Sequence, residues 1–430
     1  MTSFERYERE IPRLMAELAP PSVPDYLDDL LRTTTTMRQR PAWSALERWI
    51  PMGEIARPLQ RTAIPWRPLA VLGLLAALIA AGLFISSGSQ RDVPAPFGPA
   101  GNGLLVYGDA TGALFQGDPE TGTSTAIIDD DRSYTVPVVS RDGRRVAYDH
   151  TAAATAYFVA DIDGSNVREL PGTYYDVTSI AWSPDDTVIG IVSMVGARPA
   201  ITMLPADGSA VTTLPLDRDV RSFTWLPDGR IAFIGAETAD GRCRWDTPDT
   251  VCALFLADPD GRNLELLLPA AEFHGLTIDP SPDGRSLVYV RWDDVAEGML
   301  YLVDLESRTQ HVVPFTNRDP GGQEAINRAW FSPDGSRLLF DRFEVDGDHW
   351  AVIPTAGGDA VNIGPKWPQG DGGQGPEARW SPDGSSVMAL YPGTDLVGGP
   401  LRLLDPTQAG DGEPLPFPAA LLPSWQRTGS

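Results

Sequence analysis

Four kinds of residue in this 430-residue chain carry side chains suited to chemistry: two cysteines, four histidines, paired aspartates in turn-like contexts, and a recurring Ser-Pro-Asp-Gly phrase. Cys243 and Cys252 bracket the polar stretch RWDTPDTV, between the apolar runs RIAFIGA and CALFLADPDG that read as neighbouring strands. With no histidine beside them they do not form a metal-ligand set. In an oxidising compartment they would join as a disulfide across the base of an inserted hairpin. His150, His274, His311 and His349 are scattered without metal-ligand spacing. The aspartate pairs Asp161/Asp163, Asp258/Asp260 and Asp346/Asp348 look like fragments of calcium loops. None continues with the ligand ladder and terminal Glu that such a loop needs, so they read as hairpin turns. A Gly-x-Ser-x-Gly elbow is absent. A carboxylate pair could meet inside the fold, but the acidic residues are too numerous for the sequence to single one out. The residues therefore predict no catalytic group, no metal site and no cofactor.

The recurring phrase dictates the elements. It appears as VSRDG (139–143), WSPDD (182–186), WLPDG (225–229), PSPDG (280–284), FSPDG (331–335) and WSPDG (380–384), with a truncated PSWQR (423–427) whose Trp425 holds the first place. The copies start at 139, 182, 225, 280, 331, 380 and 425, in steps of 43, 43, 55, 51, 49 and 45. Proline presets φ and glycine takes a left-handed position, which suits a tight turn between two strands. The candidate turn residues are Asp142, Gly143, Pro184, Asp185, Pro227, Asp228, Gly229, Pro282, Asp283, Gly284, Pro333, Asp334, Gly335, Pro382, Asp383 and Gly384. An apolar or alternating run follows each turn, as in RVAYD, RIAFI and RLLFD, then a second run ending in a further turn, then a weaker strand. A repeat of this period with four strands per copy is the pattern of β-propeller blades. Residues 103–128 supply three strands without a first, and the C-terminal AALLPSWQR supplies a first strand without the others. Joined, they complete a seventh blade and close the ring, leaving no strand edge open. The predicted fold is all-β, a seven-bladed propeller, preceded by short helices and one membrane-crossing helix.

That helix is read from Leu69 to Ile85 (LAVLGLLAALIAAGLFI), a run without a charged side chain. At about 1.5 Å per residue it spans roughly 26 Å, and Trp66, Ser86 and Ser87 extend it through the interface. Sixty-eight residues precede it, too many for the n-region of a signal peptide. Seven arginines lie between residues 32 and 67 against Glu47 and Glu54, so the positive-inside rule places the N-terminus in the cytoplasm and the propeller outside. The expected organisation is a cytoplasmic helical segment (1–68), the span (69–87), a Ser/Gly/Pro linker (88–102) and the extracytoplasmic propeller (103–430), in a single-pass cell-membrane protein. In the N-terminal segment Phe4, Tyr7, Ile11, Leu14, Met15 and Leu18 fall at helical spacing, and Tyr26, Leu27, Leu30 and Leu31 form a second short helix after Pro24.

Charge restricts the partners. The total is −24, and residues 1–68 hold ten arginines against nine acids, net +1, leaving −25 for the remainder. An acidic domain of this kind does not bind nucleic acid, which needs basic surface to displace counterions. The phrase WSPDG followed by an apolar strand, over about residues 103–427, resembles the TolB-type and WD-repeat-like propellers. That resemblance implies a binding platform; the count of seven departs from the six blades of TolB, so no partner surface carries over. The layout of short cytoplasmic helices, one span and an outer domain resembles membrane-bound anti-sigma factors, without the His and Cys ligands of their zinc-containing type. Three functions follow as expectations. The first is a non-enzymatic sensor or scaffold that binds a protein, peptide or glycan outside the cell. The second is a transmembrane regulator whose residues 1–50 bind a sigma factor. The third is a propeller hydrolase or lactonase with a channel metal. The residues that would bind the ligand are not legible.

Overall fold

The computed structural model describes residues 95–129, 136–151, 154–239, 241–243, 252–270, 277–292, 298–317, 325–344, 347–367, 377–391 and 399–429. The predicted cytoplasmic helices and the predicted span from Leu69 to Ile85 lie outside them, and among the described residues no helix is long and apolar enough to cross a membrane. The described residues belong to one compact unit, Ser86–Ser430.

Seven four-stranded antiparallel sheets make up that unit. Blade 1 is composite: the C-terminal strand Ser424–Thr428 pairs with Gly101–Gly108, which continues into Leu114–Gly117 and Ser124–Ile128. The predicted joining of the two chain ends is therefore present, with Leu105 opposite Trp425 and Val106 opposite Ser424. Blades 2 to 7 follow in chain order, each beginning with its own copy of the phrase: Val138–Val139, Ser179–Trp182, Val220–Trp225, Ile278–Pro280, Ala329–Phe331 and Glu377–Trp380 are their first strands. From blade 1 round to blade 6 the first strands of adjoining blades touch one another, which makes the first strands the inner ring around a central channel.

The core is divided among the seven blade interfaces, each with its own cluster of buried side chains. The reason is the two-residue period of a strand. In the second strand of blade 4, Ile231 and Phe233 face blade 3, whereas Ala232 and Ile234 face blade 5. Every residue of Ile231–Ala236 is buried. Strands covered on both faces read as unbroken apolar runs, and this explains RIAFI and its counterparts. Each fully buried large side chain contributes about 1.5–3 kcal/mol.

Strand direction sorts the connections. Turns after first and third strands lie at one end of the ring, and connections after second and fourth strands lie at the other. All copies of the Ser-Pro-Asp-Gly phrase therefore ring one mouth of the channel. The strand ends joined by residues 237–251, which carry the disulfide, belong to the opposite end.

Candidate functional site

Five copies of the phrase share one hydrogen-bonding device. Ser140, Ser183, Ser281, Ser332 and Ser381 are buried, and each hydroxyl donates to the aspartate two residues on at 2.6–2.7 Å. The same oxygens accept the backbone N–H five residues on, at 2.9–3.0 Å. In blade 5 the hydroxyl of Ser281 holds the Asp283 carboxyl below its usual range. Blade 4 has Leu226 in the serine position, where it joins the apolar cluster shared with blade 5. The predicted turn residues are thus scaffold, and their aspartates are engaged within the turns.

Successive turns also interlock. A side chain at Gly284 would stand 3.2 Å from the ring of Pro227 in the preceding blade, and one at Gly335 would stand 3.3 Å from Pro282. The proline place of one blade therefore meets the glycine place of the next. Between blades 2 and 3 both partners are exchanged: Arg141 stands in the proline place and Asp186 in the glycine place. Arginine has the backbone N–H that proline lacks. The N–H groups of Arg141 and Asp142 donate to Asp186 Oδ1 and Oδ2 at 2.7 and 2.8 Å, and Asp186 adopts φ +57°. Burial, with a smaller push from the Asp142 charge, raises Asp186. In blade 1 the proline place is held by Arg427. Its carbonyl lies so close to Gly143 that a Cβ there would come within 1.9 Å of the oxygen, at φ +70°. The neighbouring Gln426 fills the serine place and donates to the Gly143 carbonyl at 2.9 Å.

The exchanged arginines hold a segment of the chain itself across the mouth. Arg141 Nη1 donates to the Pro96 carbonyl at 3.2 Å, and Arg427 Nη2 donates to the carbonyls of Ala95 and Gly98 at 2.8 and 2.9 Å. The Arg141 guanidinium stacks over the Phe97 ring, 3.9 Å from its centroid, a cation–π contact. Phe97 also packs against the cluster between blades 3 and 4. Further along, the Ala100 N–H donates to Pro382 O of blade 7 at 2.9 Å, and Asn102 Oδ1 accepts from Asp383 N at 3.2 Å. Beside the segment, Gly98 and Pro99 form one wall of a groove of about 420 Å³ bounded by the turns of blades 5 and 6. Residues 95–100, read from the sequence as linker, thus bond to the turns of blades 1, 2 and 7, and the first strand they lead into starts at Gly101.

Inside the channel the Arg141 guanidinium is influenced by charges from other blades. Burial and the nearby Arg427 push the Arg141 guanidinium down to about 10, while Asp186 and Asp279 support its charge. Asp279 lies on the inner strand of blade 5, opposite blade 2, and burial pushes its carboxyl up to about 7. The N–H of Phe331 and the charges of Arg141 and Arg379 offset part of that rise. Phe331 N donates to Asp279 Oδ2 at 2.9 Å. The Nε of Arg427 is buried without an acceptor.

Other predicted features lie elsewhere. Cys243 and Cys252 are bonded, with Cα atoms 5.1 Å apart, at the far end of blade 4. Asp161/Asp163 and Asp258/Asp260 sit in the turns after third strands, where Asn166 and Asn263 donate to Asp161 and Asp258. Asp346 and His274 lie outside the described residues; His150, His311 and His349 belong to separate blades. Among the described residues no group of three His, Cys, Asp or Glu side chains is placed to hold a metal ion. At the end away from the mouth, buried Asp341 accepts from the backbone of Asn327 and Arg328 and from Arg328 Nε, each at 2.8 Å. That guanidinium in turn faces the rings of Trp330 and Trp350.

Sequence reasoning missed Arg141, Arg427, Asp186 and Asp279. The first three carry a signal, since each departs from the internal repeat. Asp279 carries none, because its partners come from distant blades.

No protein-family model matches the chain, and no characterised protein matches it by sequence. Solved structures do. A prolyl endopeptidase matches with 12% identity and a TM-score of 0.52, over 76% of this chain and 52% of its own. Prolyl oligopeptidase B from Galerina marginata matches with 10% identity and a TM-score of 0.50, over 77% of this chain and 51% of its own. TolB from Acinetobacter baumannii matches with 16% identity and a TM-score of 0.46, over 77% of this chain and 81% of its own. What is shared at such identities is the β-propeller fold, and the chain corresponds to about half the length of each peptidase.

Proposed function

We propose that the chain is a non-enzymatic binding module: an extracytoplasmic propeller, tethered through residues 69–87, that captures a protein or peptide at the channel mouth and serves as a sensor or scaffold. The observation that carries this reading is the Arg141/Arg427 pair. Two guanidiniums in places where the repeat otherwise has proline already grip backbone carbonyls of a bent segment outside the sheets. Guanidinium donors aimed at carbonyls bind main chain with little regard for side-chain identity. The aromatic contact beneath Arg141 adds a preference. Residues 1–50 would carry the state of the outer domain inward, with a sigma factor as the partner that the layout suggests. A propeller hydrolase is the competing reading, and no arrangement of the described side chains favours it.

The test is selection of peptides from a random library on the detergent-solubilised full chain, repeated with Arg141→Ala. The proposal expects ligands that the wild type retains and the variant releases. Ligands retained equally by both would move the site away from the mouth, and turnover of peptide or lactone substrates would replace binding with catalysis.

A further inference from the structure

We propose that Ala95–Ala100 is a resident stand-in ligand: the Arg141/Arg427 clamp is a site for a bent segment with an aromatic residue flanked by proline and glycine, supplied by a partner, and the chain's own copy must leave for it to bind. This deepens the binding reading above and rests on it.

Four observations carry it. The segment lies outside every sheet and, apart from the Ala100 N–H bond to Pro382 O, is held by side chains rather than by a strand ladder. Its three carbonyls, those of Ala95, Pro96 and Gly98, are gripped by guanidiniums, and Phe97 is gripped by its ring. The residues that grip it are the departures from the repeat: where the ring keeps its proline, as in blades 4 and 5, no guanidinium is presented from that place. A merely structural stopper would not need the repeat to be broken at two adjoining blades. The Arg427 Nε, buried with no acceptor, leaves one donor for a carbonyl that Ala95–Ala100 does not supply.

Competition follows from connectivity. A segment tied to the ring acts at high effective concentration, so an outside peptide meets a site that is open only a fraction of the time. Weakening the resident segment raises the apparent affinity for the outside one by the same factor. Ala95–Ala100 also joins the ring to the chain that leads back to the predicted span, so its release lengthens the connection between the two.

The experiment uses the full chain and a fluorescein-labelled peptide of residues 93–102. Phe97→Ala in the chain loosens the resident segment without touching the clamp. The expected result is at least tenfold tighter peptide binding to the Phe97→Ala chain than to the wild type, lost again in Phe97→Ala/Arg141→Ala. A second readout needs no substitution: excess peptide should speed hydrogen exchange at the Ala100 amide of the wild type. Equal binding to wild type and Phe97→Ala overturns the proposal, as does no binding to a Phe97→Ala chain that melts like the wild type. Bound peptide that leaves Ala100 exchange unchanged overturns it too. If library-selected ligands still depend on Arg141 while this peptide fails, the binding function stands and only the stand-in falls.

Discussion

A serine hydroxyl that both donates to an aspartate and accepts from the backbone leaves a backbone N–H without its acceptor when it is removed. At Ser332, fully buried, the partners are Asp334 Oδ1 at 2.6 Å and Arg337 N at 2.9 Å. Ser332→Ala is expected to cost about 1–3 kcal/mol in a denaturant melt. The blade 4 copy, which already has Leu226 there, predicts the contrast: Leu226→Ala should cost about 2–5 kcal/mol by opening a cavity instead. The channel carboxylate gives a pH signature. The Asp279 value is raised from its ordinary 3.8 to about 7, so between those values the folded state binds more protons than the unfolded one. Stability from this group is greatest below 3.8 and declines as pH rises through about 7. Asp283 has the opposite sign: held low by Ser281, its contribution is present above 3.8 and is lost as pH falls through its folded value. Melts of wild type and Asp279→Asn from pH 4 to 8 should therefore diverge, the wild type losing stability relative to the variant as pH rises.

At the scale of elements, alternation and turn chemistry were enough to place most strands. Gly143, Gly284, Gly335 and Gly384 all take positive φ, as a Ser-Pro-Asp-Gly turn requires. The apolar runs after them are second strands buried on both faces. What the sequence hid was the use made of exceptions. A Pro/Gly-containing stretch such as 95–100 has the same composition whether it swings free or lies gripped across the turns. Arg141 and Arg427 become visible only when each copy is laid over the next. Asp279 depends on a ring closed in three dimensions. The disulfide was legible because its cysteines flank two strands that pair, with Ala236 opposite Cys252. It encloses a short loop within one blade, so reduction, or Cys243→Ser with Cys252→Ser, should lower stability by about 2–4 kcal/mol at most. The ring should stay closed, and binding at the mouth should be unchanged, because the bridge lies at the other end.

The whole molecule is a ring whose two ends meet in blade 1. Four backbone registers, from Gly101 opposite Thr428 to Val106 opposite Ser424, hold it shut, and Val139 N adds a bond to Ser424 Oγ at 3.0 Å. Deleting residues 424–430 would expose the edge of Gly101–Gly108 and remove Trp425 from the interface of blades 7 and 1. It would also take away Arg427, so the truncated chain should lose both cooperative melting and the grip on Ala95–Ala100. The two clamp arginines stand among turns that carry aspartates, in a part of the chain with a net charge of −25. Ligand capture through backbone carbonyls, which does not depend on ligand charge, is the central claim. The most direct measurement is calorimetric titration of a library-selected peptide into the full-length wild type, Arg141→Ala and Arg427→Ala, with melts confirming the fold of each. The prediction is at least a tenfold weaker Kd for either variant. Undiminished binding in both well-folded variants would contradict it.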